Sequence, residues 1–163
     1  TERRRPHADR PWLFTNMVVT LDVGEPGLHP KLKRPIGERL AKMALAEVYG
    51  QDVDYLFPLY KHSEVKNSTI IIHFEHVGQG LVSKDGEALR EFTICGVDRK
   101  FVPAQARIVG DMVVVSSPQV SAPVAVRYAW QNTPMVNLFG KNGLPVGPFR
   151  TDAFNLINMD GEK

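Results

Sequence analysis

The sequence predicts an α/β strand–loop–helix segment followed by an all-β domain built as an antiparallel sandwich. Three observations carry that expectation. Residues 17–23 form a nearly continuous apolar run that breaks at glycines and prolines. Residues 35–49 then place apolar side chains at helical spacing. Beyond residue 58 the pattern changes to short alternating runs separated by turn signals.

The elements follow in order. Residues 1–15 are polar, contain Pro6 and Pro11, and carry Arg3, Arg4, Arg5 and Arg10, which together read as a solvated arm. Residues 16–50 read as one unit. Val18, Val19 and Leu21 suit a strand buried on both faces. Gly24, Pro26, Gly27 and Pro30 end it in a tight loop. Pro35 is tolerated in a first helical turn, where no backbone donor is needed. Ile36, Leu40 and Met43 then make one apolar face, with Glu38 and Lys42 paired elsewhere on the surface. Gly50 is placed to end this helix, expected over 35–49.

Residues 51–163 form the expected β-domain, entered through a linker at 51–58. Residues 68–76 (STIIIHFEH) read as a strand after a turn at Lys66-Asn67. Residues 91–96 read as another. Residues 107–109 and 112–116 flank Gly110-Asp111, a two-residue hairpin signal. Over 124–130, Val124, Val126, Tyr128 and Trp130 share one face of a strand and Ala125, Arg127 and Ala129 the other. Residues 132–152 are rich in Gly, Pro and Asn and read as a long ordered loop.

Bulk properties narrow the function classes. With 163 residues and 43% apolar content, the chain can build a packed core. A formal net charge of +2 does not point to nucleic acid. No run reaches the length of a membrane span. The one cysteine, Cys95, excludes an internal disulfide and a thiolate metal cluster, and its apolar setting suits a core residue. No signal peptide is visible, and without an initiator Met the sequence reads as starting within a longer protein.

Among residues that could carry chemistry, His29 stands first. It sits in the loop between the apolar run and the helix, where several hydrolase folds hold a general base, and Gly27 and Pro30 stiffen its backbone. Asp22 and Glu25 are the carboxylates nearest to it. His73 and His76 lie three apart on one expected strand, so they point to opposite faces and cannot share an ion without a bulge. His62 and His7 have no partner in sequence. Lys31, Lys33 and Arg34 read as a solvated cluster. There is no phosphate-binding glycine loop and no G-x-S-x-G nucleophile elbow.

Short motifs recur in order across most of the chain. They include Val19 to Gly24 (VTLDVG), His29-Pro30, Gly37-Glu38-Arg39-Leu40, Tyr49-Gly50 and His76-Val77-Gly78 with Gly80-Leu81. Phe101-Val102-Pro103-Ala104, Val113 to Ser117 (VVVSS) and Val126-Arg127-Tyr128-Ala129-Trp130 follow. The last are Asn137-Leu138 and Gly143-Leu144-Pro145, running into Pro148-Phe149-Arg150-Thr151-Asp152. From about Met17 to Asp152 the chain resembles the C-terminal part of the sialate O-acetylesterase family, within the SGNH hydrolases.

The resemblance implies an SGNH-type α/β hydrolase segment followed by a β-sandwich. It implies hydrolysis of acetyl esters on sugars by a Ser–His(–Asp) site with no metal and no cofactor. His29 matches the family's catalytic histidine, and the serine belongs to a part of the fold outside this chain, on a missing N-terminal segment or a second chain. Phe149 and Arg150 are candidate substrate-pocket residues, shaping the pocket if 132–152 packs back against the hydrolase unit. A periplasmic or extracellular location is implied too. Two departures stand out. The family's loop reads D-I-H-P, whereas Gly27 stands two residues before His29 here, leaving Glu25 or Asp22 to orient the imidazole. Leu56-Phe57-Pro58-Leu59-Tyr60 also replaces the usual Ser-Gly-Pro run. The alternative readings are a non-catalytic carbohydrate-binding module using Trp130, Tyr128, Phe139, Phe149, Arg127 and Arg150, or a structural lid formed by 132–152.

Overall fold

The computed structural model describes residues 16–24 and 31–154. The expected arm at 1–15, together with Glu25 and His29, lies outside the described residues. Among the described residues one helix, α1 (Arg34–Glu47), precedes ten strands. These are β1 (Leu59–Lys66), β2 (Thr69–Glu75), β3 (Leu81–Ser83), β4 (Phe92–Cys95), β5 (Val102–Pro103), β6 (Gln105–Val109), β7 (Met112–Ser116), β8 (Ala125–Tyr128), β9 (Leu138–Gly140) and β10 (Phe149–Arg150). They form three antiparallel sheets: β1-β2-β7-β6, β10-β8-β4-β5 and the two-stranded β3-β9.

The inner faces of the two larger sheets meet in one core. Ile70, Ile72, Val113 and Val115 enter it from the first sheet, and Phe92, Ile94, Val126, Tyr128 and Phe149 from the second. Alternation produces this: along β2 and β7 every second residue is fully buried. Burying an Ile or Val side chain of this kind contributes about 1.5–3 kcal/mol.

The β6–β7 hairpin forms on Gly110-Asp111 as expected, with Val109 opposite Met112 and Gly110 at φ +60°. β2 and β4 also fall inside their expected ranges. β8 is shorter than expected and buried on both faces: Val126 and Tyr128 lie in the core, and Phe101 and Asp152 cover Arg127 on the other face. Val124 and Trp130 are exposed and do not share the core with Val126 and Tyr128. The segment 132–152 contains β9 and β10, so it is not one long loop.

The expected strand over 17–23 does not form. Residues 16–20 take no regular structure and 21–23 turn, with no ladder partner among the described residues. Val19 and Val23 are nevertheless buried. Apolar content makes a segment bury itself; only a neighbouring strand makes it a strand.

Helix α1 ends two residues earlier than expected, in a glycine-terminated cap. Gln51 N donates to Leu45 O at 2.9 Å while Gly50 takes φ +65°. None of its residues is fully buried: Ile36 and Met43 are half-buried and Leu40 is 48% exposed, so the described residues cover the apolar face only in part. Glu38 pairs with Arg34, not Lys42.

Candidate functional site

Residues 19–24 lead directly into the loop that carries His29. Val23 N donates to Thr20 O at 3.1 Å, a turn that swings Asp22 toward α1. There the Asp22 carboxylate accepts two parallel hydrogen bonds from Arg39, Nη1 to Oδ1 and Nη2 to Oδ2, both 2.7 Å. Arg39 Nη1 also donates to Val19 O at 2.6 Å. The fork geometry suits a guanidinium, and both side chains are nearly buried, so the pair fixes the segment to the helix. Lys84 Nζ lies 3.9 Å from the same carboxylate and 4.4 Å from the centre of the Phe139 ring. Asp22 is therefore held by cations, and Arg39 is a tether.

A cleft of about 400 Å³ opens where this segment ends. Thr20, Leu21 and Gly24 form one wall and Asn132, Thr133, Pro134 and Met135 the other. Its second wall is pinned by residues far away in sequence. Glu91 Oε1 accepts Met135 N–H at 2.9 Å, Glu91 Oε2 accepts Gln131 Nε2–H, and Arg90 Nε donates to Met135 O at 3.1 Å. Asn137, almost fully buried, donates from Nδ2 to Asp85 Oδ1 and Ala88 O and accepts Arg90 N–H at its Oδ1. The Asn137 amide, ahead of smaller contributions from Glu87 N–H, Arg90 and Ser83, holds the Asp85 carboxyl well below the usual carboxylate range.

Phe149 and Arg150 have different surroundings. The Phe149 ring is a core residue, stacked on Tyr60 at 5.1 Å and packed edgewise on Phe74 and Phe92, which leaves no face for a sugar. Arg150 is partly exposed, donates to Phe154 O at 3.3 Å and lies 5.5 Å over the Trp130 ring. Beside it a smaller cleft of about 220 Å³ is lined by Glu91, Thr93, Phe101, Arg127, Trp130 and Gln131.

The rest of the Pro148–Asp152 motif is a lock on β8. Arg127 donates from Nε and Nη2 to Asp152 at 2.8 and 3.0 Å, with both side chains buried. Its guanidinium also stacks on Phe101, 4.0 Å from the ring centre. Thr151 Oγ1 accepts Val126 N–H at 2.9 Å. Arg127 and Asp152 stand 25 residues apart, so neither residue alone signals the pair.

Cys95 is fully buried, and burial, ahead of the nearby Asp152 charge, pushes its thiol up; it is a core side chain. His76 follows the end of β2 at φ 59°, away from His73. His73 instead faces His62 across the β1–β2 ladder.

The described residues, mostly β with one helix and three antiparallel sheets, resemble part of a carbohydrate acetylesterase. The particular similarity is to XAC1771, a novel carbohydrate acetylesterase from Xanthomonas citri. It has 41% sequence identity and a TM-score of 0.80 over 84% of this chain. The match covers 32% of the XAC1771 chain. No family model matches the sequence, and no curated protein matches it.

Proposed function

We propose that this chain is the C-terminal part of a carbohydrate O-acetylesterase of the sialate type and that His29 is its general base. The observation carrying the proposal is the 41% identity to a carbohydrate acetylesterase over 84% of the chain. The serine would come from the portion corresponding to what the chain does not span in that relative. The exposed side of α1 at Leu40, together with Tyr49 just beyond the helix end, is where that portion would pack.

In this reading His29 takes the serine hydroxyl proton as the oxygen bonds to the acetyl carbonyl carbon. The acetyl–sugar C–O bond then breaks, and the proton passes to the sugar oxygen. Water hydrolyses the acetyl-serine with His29 acting again as base. Asp22 is committed to Arg39, so Glu25 is the carboxylate left to orient the imidazole. The cleft between Gly24 and the 132–135 segment, at the entrance to the His29 loop, receives the acetylated sugar. By the same resemblance the protein acts in the periplasm or outside the cell.

The test is His29→Ala in the intact protein, assayed on 4-nitrophenyl acetate and on an acetylated sugar. Hydrolysis should fall by about 10⁴-fold or more with the circular dichroism unchanged. Near-normal activity would remove His29 from the mechanism.

A second reading, a glycan-binding surface, is favoured by Trp130, which is 46% exposed beside Arg150. Sugar rings stack on such faces. Trp130→Ala should then abolish the calorimetric signal of glycan binding without changing kcat on 4-nitrophenyl acetate.

A further inference from the structure

The geometry points to a divalent transition-metal site on the outer face of the first sheet, built by His62, Glu64 and His73 and suited to zinc-class ions. The β1–β2 hairpin assembles it. Asn67 and Ser68 form a two-residue turn, Asn67 takes φ 55°, and Lys66 pairs with Thr69. Counting back along the ladder from that turn brings His62 opposite His73. Strand alternation puts Glu64 on the same face, while Ile72 and Phe74, the neighbours of His73, point into the core. Beyond His62 the register shifts, which leaves Lys61 unpaired and lets Tyr60 face Phe74 in the core.

The three side chains converge. The imidazole rings lie parallel, 4.2 Å between centres and 8° apart. Glu64 Oε1 is 3.5 Å from His62 Nε2 and 3.4 Å from His73 Nε2. One ligand atom from each of the three residues falls within 4.8 Å of the others. Atoms bound to one tetrahedral zinc at about 2.0–2.1 Å stand about 3.3 Å apart, so the two carboxylate–imidazole spacings already match a coordination edge. A modest splay of the two rings supplies the third.

A second observation points the same way. His73 Nε2 is shut off from solvent and makes no hydrogen bond among the described residues, although Glu64 Oε1 lies close by. An imidazole nitrogen in that position lacks the partner that a metal ion provides. His62 and Glu64 are half exposed, which leaves an entry path and room for water in the fourth position. Two imidazoles and a carboxylate favour zinc, nickel or copper over magnesium or calcium. The bound ion would clamp β1, an edge strand, to β2.

The experiment is titration of the metal-free, intact protein with zinc chloride in a calorimeter, with cobalt absorption as a second readout. One ion per chain should bind, and cobalt should give the visible bands of a tetrahedral nitrogen–oxygen site. The double variant His62→Ala/His73→Ala should lose the site, and Glu64→Gln should weaken it by about tenfold or more. His76→Asn, chosen because Asn tolerates the left-handed backbone there, should leave it intact. Circular dichroism checks that each variant is folded. The assignment is overturned if the wild type takes up no stoichiometric zinc. Full binding by the double variant, or unchanged affinity in Glu64→Gln, overturns it equally.

Discussion

Arg127 and Asp152 show how a single residue pair sets the stability of the second sheet. Both are buried, and each satisfies the other through two hydrogen bonds. Removing one partner leaves an uncompensated charge inside. Asp152→Asn should therefore cost about 3–5 kcal/mol in urea denaturation, and a loss below about 1 kcal/mol would show that the pair is not needed. Arg127 holds the Asp152 carboxyl below its ordinary value. A carboxylate depressed in the folded state stabilises fully above its unfolded pKa of about 3.9 and loses that contribution as pH falls below it. Wild-type stability should thus decline in acid more steeply than that of Asp152→Asn, measured as urea midpoints at neutral pH and near pH 3. At this scale the sequence was least legible. Phe149 and Arg150 look like pocket residues because an aromatic beside an arginine suits a sugar. Only the pairing of β10 with β8 reveals the Phe149 ring as core and Asp152 as the partner of Arg127.

At the level of elements, local chemistry was legible where a turn obeys its own rules. Gly110-Asp111 announced the β6–β7 hairpin because a left-handed position there favours glycine. Strand β1 went unread because LYKHSEVK is a charged edge strand with little apolar alternation. The turn at Lys66-Asn67 was legible, but without the strand before it the meeting of His62 with His73 stayed hidden. Asn67 is the residue on which that register rests. Asn67→Val should destabilise the protein by about 1–2 kcal/mol, since a β-branched side chain clashes at φ 55°. Asn67→Gly should be near neutral. Equal urea midpoints for the valine and glycine variants would mean the turn does not set the hairpin. The run at 17–23 failed as a strand for a complementary reason: its apolar pattern is local, whereas a ladder needs a second chain segment.

Across the whole molecule, stability is unevenly distributed. The two larger sheets share one core, whereas α1 contributes no buried residue and is held by polar tethers. Arg39 binds Asp22 and Val19 O, and the Tyr55 hydroxyl donates to Glu47. Such a helix opens without the sheets. Hydrogen exchange should show α1 amides exchanging well before those of β2, β7 and β8, and Arg39→Ala should speed α1 further without changing the sheets. Uniform protection across helix and sheets would show a single cooperative unit.

The lock at Asp152 also has a place in time. A chain leaves the ribosome at roughly 5–20 residues per second, so the 25 positions separating Arg127 from Asp152 correspond to about 1–5 s of synthesis. During that interval the centre of the second sheet carries a guanidinium with no counterion and a strand edge awaiting β10. The nascent domain cannot close on β8 until its last motif has emerged, so a stalled or truncated product ending before Phe149 presents chaperones and proteases with an open, charged sheet.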